Sequence, residues 1–432
     1  MSSSFLAGAA HCIITPPIGS PLAGFDARKG VAESVHDELH ARALAIECGG
    51  STIILLSLEI IAVSRALADT IRRRITESCG VPADNIVVAA THTHCGPVTL
   101  NHFFNDRQPL DEMYLYQLVE RTVEVATEAH ARRQTATIRA GLVPAEGIAV
   151  NRRSQDGRPA SREAGVVAIY AADGSTLAVL VLFACHPTVL GPNTLAITGD
   201  FPYFMGESLR RELGGSVEIL FFNGAEGDIS VGHRSDASAV GVIAPFRTFA
   251  KAQELGGKLG HAVAVGLASL TPQDSRLQIQ RMTPRLPLKS YPPVADMSCA
   301  REAAFRELQE QPDSLALKQK WLFARIEEYY ASLNERQKEL PVEVIVIRLG
   351  DIALVSIPGE AFHDVGQAIR AQSPFGVTLF LGLANDYIGY IPTAGASADL
   401  GYEVVASRVA PEAAAALVDA AVAGLNSLAQ SV

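Results

Sequence analysis

Short apolar runs alternate with amphipathic stretches along the chain. Thr52–Leu58 is a β-branched and aliphatic run that predicts a strand. Ala66–Ser78 follows with apolar positions at helical spacing, and Gly80 supplies a usual helix stop. Asn85–Ala90 predicts a strand and Asp111–Ala131 a long helix. Thr135–Ala140, Val166–Ala171 and Leu177–Ala184 predict strands, the last two joined by a turn at Asp173-Gly174. Val217–Phe222 predicts a buried strand and Ala250–Leu267 a helix. Residues 296–337 carry Ala, Leu, Glu, Gln, Lys and Arg at helical spacing around Pro312-Asp313, which predicts an inserted helical hairpin. The run VEVIVIRLGDIALVSIP predicts two alternating strands meeting at Gly350-Asp351, and an Ala-rich helix, Pro411–Leu428, closes the chain. The alternation predicts an α/β protein with a mixed β-sheet core flanked by helices. No repeat or Pro/Ser linker divides it, so residues 1–432 read as one large domain.

Composition narrows the function classes. Hydrophobic residues make up 48% and charged ones 19%, enough apolar material for a core. The net charge is −10, without basic runs, which argues against a nucleic-acid partner or an anionic membrane surface. The N-terminus has no basic segment followed by an apolar one, so no secretory signal is expected. No run of about 18 apolar residues is evident, so no transmembrane segment is expected. Six scattered cysteines with no CxxC pair read as reduced thiols, and the expected location is cytoplasmic. A homo-oligomer is compatible with all of this.

Candidate chemistry sits where apolar strands end. In NIVVAATHTHCGP, strand alternation would put His92 and His94 on one side, next to a Gly-Pro turn. They read either as ligands of a divalent metal or as two hydrogen-bonded histidines. In LAVLVLFACHPTVLG, His186 follows an apolar strand and is a ligand candidate or a capped core histidine; Cys185 should face the other way. ILFFNGAEGDISVGH ends in a Gly-rich turn with Asn223, Glu226, Asp228 and Ser230, suited to holding an oxyanion or offering a nucleophile, or simply a polar turn. In SIPGEAFHD, Glu360 is a ligand candidate or a helix N-terminal charge, and His363 is expected to share its face. Tyr387, Tyr390 and Tyr402 read as buried aromatics or site hydroxyls. The strand ends are expected to converge on one edge of one sheet.

Taken in order, these segments resemble the catalytic domain of the neutral/alkaline (non-lysosomal) ceramidase family. The resemblance runs through AGAAHCIITPPIGSPLAGF, HDELHARALAIE, ATHTHCGP, VNRR, CHPTVL, GDFP, NGAEGDIS, IPGE and ANDYIGYIPT, nearly the whole chain. It implies a zinc-dependent hydrolase of amide (N-acyl) bonds. Carried over by position, it makes His92, His186, Glu360 and Tyr390 the Zn2+ ligands, and His94 a neighbouring or substrate-facing group. Ser230 matches the family's serine, Arg152 a substrate-contacting arginine, and Tyr402 a tyrosine at the reacting amide. Two His, one Glu and a Tyr are N and O donors suited to catalytic zinc. Ser230 is followed by Val231-Gly232-His233 where the family usually has Pro-Asn, and AFHDVG follows Glu360 where it has a Thr-rich stretch. No counterpart of the family's C-terminal β-sandwich is expected after the catalytic domain. The expected substrate is therefore a small-molecule or lipid-like amide, smaller and more soluble than ceramide. The rival readings are a zinc esterase, a metal-independent serine hydrolase using Ser230 with His233 or another histidine as base, and a non-catalytic binding protein on the same fold.

Overall fold

The structure is a computed structural model and describes residues 4–103, 110–154, 160, 162–214 and 216–430. Its centre is a nine-stranded mixed sheet. Eight strands lie in the order Glu218–Asn223, Thr176–Phe183, Glu163–Ala171, Gln134–Pro144, Phe5–Ile13, His40–Cys48, Ser51–Leu58 and Ile86–Ala90, and the short Thr271–Pro272 pairs with Gln134–Pro144. Both end pairings are parallel, Thr176–Phe183 with Glu218–Asn223 and Ser51–Leu58 with Ile86–Ala90. The pairings between them are antiparallel. A second sheet of four strands runs Leu277–Met282, Val344–Leu349, Ile352–Ser356 and Val377–Leu381.

The period of two decides how these sheets stack. Leu55, Val87, Leu180 and Leu220 point from the large sheet into one apolar layer shared with Ile345, Ile347, Leu354 and Leu379 of the small one. On its other face, Ile54, Leu56 and Val88 pack on the helices Arg65–Cys79 and Glu112–Ala131. Val179, Val181 and Ile219 pack there on Phe201–Leu213 and Phe249–Gly266. The outer face of the small sheet is covered by His363–Gln372 and Ala413–Gln430. The result is helices, sheet, sheet, helices. The α/β class with a mixed sheet flanked by helices is as expected; the division into two facing sheets is the correction. The strands of VEVIVIRLGDIALVSIP are buried on both faces, because a helix covers the side that alternation assigns to solvent.

Helix ends follow local chemistry. Ser64, Asp111 and Ser314 cap the helices that follow them by accepting from backbone N–H groups, and Gly80 ends Arg65–Cys79 at φ 76°. The hairpin appears as Val294–Glu310 and Leu315–Asn334. Among the described residues one helix, Ala413–Gln430, is long and apolar enough to cross a membrane, which the sequence reading passed over. Ala413, Leu417, Ala421 and Leu425 of that helix are fully buried in the core on the small sheet.

Candidate metal centre

Three strands of the large sheet and one of the small sheet deliver the site, so the expected single sheet edge becomes two. Beyond Ala90 the chain does not continue as a strand. The Thr91 and His92 N–H groups donate to Leu58 O and Ile60 O, and His92 takes φ 73°, left-handed for a residue with a Cβ. Such backbone costs roughly 1–3 kcal/mol and persists only where its surroundings fix it. The strand alternation expected for His92 and His94 is therefore absent, yet the two rings meet. Their Nε2 atoms are 3.3 Å apart and their ring centroids 4.8 Å. Gly24 makes room for this: a Cβ there falls 2.5 Å from His94 Cγ and Nδ1, and Gly24 has φ +94°. Gly24→Ala is expected to displace His94 and to destabilise the fold by about 1–3 kcal/mol, read as a lower melting temperature with lower activity.

His186 follows the strand Thr176–Phe183. Its backbone N–H donates to Ile229 O. Fully buried Asn223 ties both histidine segments together, donating to Thr91 O at 3.1 Å and accepting from Cys185 N at 3.2 Å. Glu360 comes from the small sheet's side. It pairs in parallel with Tyr390, and its N–H donates to Gly389 O. The glycines of the motifs serve close approach. A Cβ on Gly227 would lie 2.4 Å from Glu360 O, and one on Gly359 would lie 2.5 Å from Gly389 O.

His92, His186 and Glu360 are buried, and their ligand atoms lie within 4.8 Å of one another. His186 Nε2 is 2.8 Å and His92 Nε2 3.6 Å from Glu360 Oε2. The tautomers follow from the other ring nitrogens. His92 Nδ1 lies 2.6 Å from Ile61 O, and His186 Nδ1 lies 2.9 Å from Glu226 O and 3.0 Å from Ile229 O. Carbonyls only accept, so both Nδ1 atoms carry the proton and donate. Both Nε2 lone pairs then point at a carboxylate oxygen. Three acceptors facing one another in a buried site could hold a metal ion between them.

The electrostatics agree. Burial pushes the His92 imidazole below its ordinary value, and burial with Arg152 brings His186 to about 4. Burial also holds His94 well below the usual range, reinforced by His92 and His186. Burial alone would raise Glu360, but His92, His186 and the hydrogen bonds bring it to about 2. At neutral pH the set is thus neutral imidazoles and an ionised carboxylate, the forms that bind a metal.

Arg152 is placed by the short ladder that pairs Val150 with Ser230 and Asn151 with Ile229. Its Nη2 donates to Gly227 O at 2.8 Å and to the Tyr390 hydroxyl at 3.1 Å, and lies 3.3 Å from His186 Nε2. Its Nε pairs with buried Glu403 at 2.8 Å. Tyr390 stacks on His186 at 6.3 Å, and Tyr402 meets the Tyr390 ring edge-on at 6.1 Å. The Ser230 hydroxyl donates to the His233 backbone carbonyl and accepts from Gly232 N–H, so the His233 ring is not its partner. His363 lies apart from Glu360, its N–H on Asp228 and its ring against Gln367. Cys185 and Cys95 are buried thiols outside the cluster.

Of four further residues near the centre, the sequence reading named Tyr387 as a buried aromatic or site hydroxyl and Asn223 and Glu226 as part of a polar turn, and did not name Glu403. Tyr387 donates to Glu360 Oε1, and Asn223 and Glu403 act as described. Glu226 is fully buried, both its oxygens lack a hydrogen-bond partner, and burial with nearby Glu360 pushes its carboxyl well above the usual range. Its position beside Asp228 in the NGAEGDIS turn was the only signal.

With this geometry in place, comparison with known proteins has a clear outcome. Residues 5–203 match the sequence profile of the neutral/alkaline non-lysosomal ceramidases, N-terminal. The resemblance to that family holds. The matched stretch contains His92, His94, Arg152 and His186; Ser230, Glu360, Tyr390 and Tyr402 lie beyond it. Two ceramidase structures are similar along the chain. A neutral ceramidase from Pseudomonas aeruginosa aligns at 17% identity over 99% of this chain and 75% of that one, with a TM-score of 0.78. A structure described as ceramidase complexed with C2 aligns at 17% identity over 100% and 76%, with a TM-score of 0.77. At that identity the likeness to the ceramidase structures shows the fold. No curated protein sequence matches the chain.

Proposed function

We propose that this chain is a zinc-dependent hydrolase of N-acyl amide bonds, in line with its ceramidase resemblance. One observation carries the reading: the Nδ1 protons of His92 and His186 are committed to carbonyls, so both Nε2 lone pairs face Glu360 Oε2. The donor set of two imidazoles and a carboxylate fits zinc, with Tyr390 held beside it by its pairing with Glu360. Zinc held by His92, His186 and Glu360 would supply Lewis-acid chemistry, polarising a scissile carbonyl and lowering the pKa of water towards about 7.

The chain's own groups supply the rest. Arg152, fixed by Glu403 and reaching Tyr390, brings a permanent positive charge to the place where the carbonyl oxygen becomes an oxyanion. His94, neutral and against His92, offers a ring nitrogen within reach to hydrogen-bond the attacking water or the leaving nitrogen. Ser230 offers a hydroxyl whose direction is set by backbone groups, and Tyr402 one that borders Tyr390.

The test is hydrolysis of matched N-acyl amides and esters of increasing chain length, with and without a chelator and zinc readdition. The reading expects amide turnover that is lost on chelation, returns with zinc, and stays chelator-sensitive in Ser230→Ala. Turnover that survives chelation and vanishes in Ser230→Ala supports the serine hydrolase instead. Zinc-dependent turnover of esters alone supports the esterase.

A further inference from the structure

Glu360 divides its two oxygens between different neighbours. Oε2 faces the imidazoles of His186 and His92, while Oε1 accepts a hydrogen bond from the Tyr387 hydroxyl at 2.5 Å. Tyr387 is itself held in place. Its ring lies 6.4 Å from that of His92 at an interplanar angle of 30° and edge-on to His102 at 5.2 Å, and its backbone N–H donates to Asp386 Oδ1. Its other side lines a cavity of about 740 Å³ bounded by Leu100, Leu115, Tyr330 and Ile388. Tyr387 thus forms the wall between this cavity and the buried carboxylate.

A carboxylate beside a divalent cation can bind through one oxygen or through both. An oxygen occupied by a short, charge-assisted hydrogen bond is withdrawn from that choice. We propose that Tyr387 is a positioning residue that limits Glu360 to one metal-facing oxygen and so keeps a coordination place open for substrate. The proposal rests on the zinc reading. A catalytic zinc site differs from a structural one in that open place, and partners of metal ligands typically govern about 10–100-fold in affinity or activity.

Tyr387→Phe removes the hydroxyl and keeps the ring against His92 and His102. The probe is cobalt(II) substituted into the purified full chain, because a four-coordinate cobalt site absorbs visible light several-fold more strongly than one with extra ligands. Tyr387→Phe is expected to keep one metal per chain, lose visible absorbance several-fold, and lose about 10–100-fold in kcat with KM little changed. Tyr330→Phe is the control. It deletes another buried hydroxyl on the same wall, bonded to Ala406 O at 3.0 Å, and is expected to leave the spectrum as in wild type. An unchanged cobalt spectrum in metal-loaded Tyr387→Phe overturns the proposal whatever the activity, and so does an equal change in Tyr330→Phe. A wild type that takes up no cobalt or zinc overturns the zinc reading itself, and this proposal with it.

Discussion

Replacing Glu360 with glutamine is expected to abolish amide hydrolysis and release zinc while leaving the protein folded. The substitution keeps the shape and removes the charge. Glu360 is fully buried, and its Oε2 lies 2.8 Å from His186 Nε2 and 3.6 Å from His92 Nε2, so under the zinc proposal its negative charge would offset a dication among neutral imidazoles. Losing a Lewis acid forfeits several kcal/mol of transition-state stabilisation, which is a rate loss of about 10³-fold or more. The fold is expected to stand because the backbone that places Glu360, its N–H on Gly389 O, is untouched. Zinc content and turnover are measured together, with circular dichroism to confirm folding. Full zinc occupancy with near wild-type turnover would remove Glu360 from the site.

The second large effect is one of stability. Glu403→Ala is expected to destabilise the fold by about 3–5 kcal/mol and to lower turnover as well. Glu403 is fully buried and gathers three partners: Arg152 Nε at 2.8 Å, Arg153 Nη1 at 3.1 Å and the Ser235 hydroxyl at 2.5 Å. Its removal leaves two guanidinium groups without their shared counter-charge, and that of Arg152 is itself buried. Breaking one side of a buried pair costs far more than the pair is worth as a whole. Arg152 would then lose the anchor that directs its Nη2 to Tyr390. Glu403→Gln keeps the shape and one acceptor oxygen but lacks the charge and the second acceptor, so its loss is expected to be smaller than that of Glu403→Ala. Denaturant midpoints of the three proteins read the effect. A midpoint for Glu403→Ala equal to that of wild type would contradict it.

What the sequence made legible follows from which interactions are local. Strands such as Ile86–Ala90 and Thr176–Phe183 are continuous apolar runs, and the helices after Ser64 and Asp111 carry their own caps, so both were readable. The pairing of two sheets was not. Val344–Leu349 looks half-exposed until Ala413–Gln430, far along the chain, covers its outer face. At the site, the residue types after each strand pointed to His92, His186 and Glu360, but the geometric argument for His92 and His94 failed locally. The chain turns left-handed at His92, and no short-range pattern announces that for a histidine. Tyr387 and Tyr390 lie three residues apart and take different tasks because Gly389, at φ 79°, turns the chain between them. Glu403 was silent, and Asn223 was legible only as part of a polar turn, because their partners come from distant segments, 132 residues away for Asn223 and Thr91, and about 250 for Glu403 and its arginines.

The most direct test of the account is metal content. Tag-free protein from cells grown with added zinc is analysed for elements alongside Glu360→Gln and His92→Ala. The account predicts about one zinc per chain in the wild type and a large loss in both variants. A folded wild type without zinc, or zinc retained in full by both variants, would contradict it.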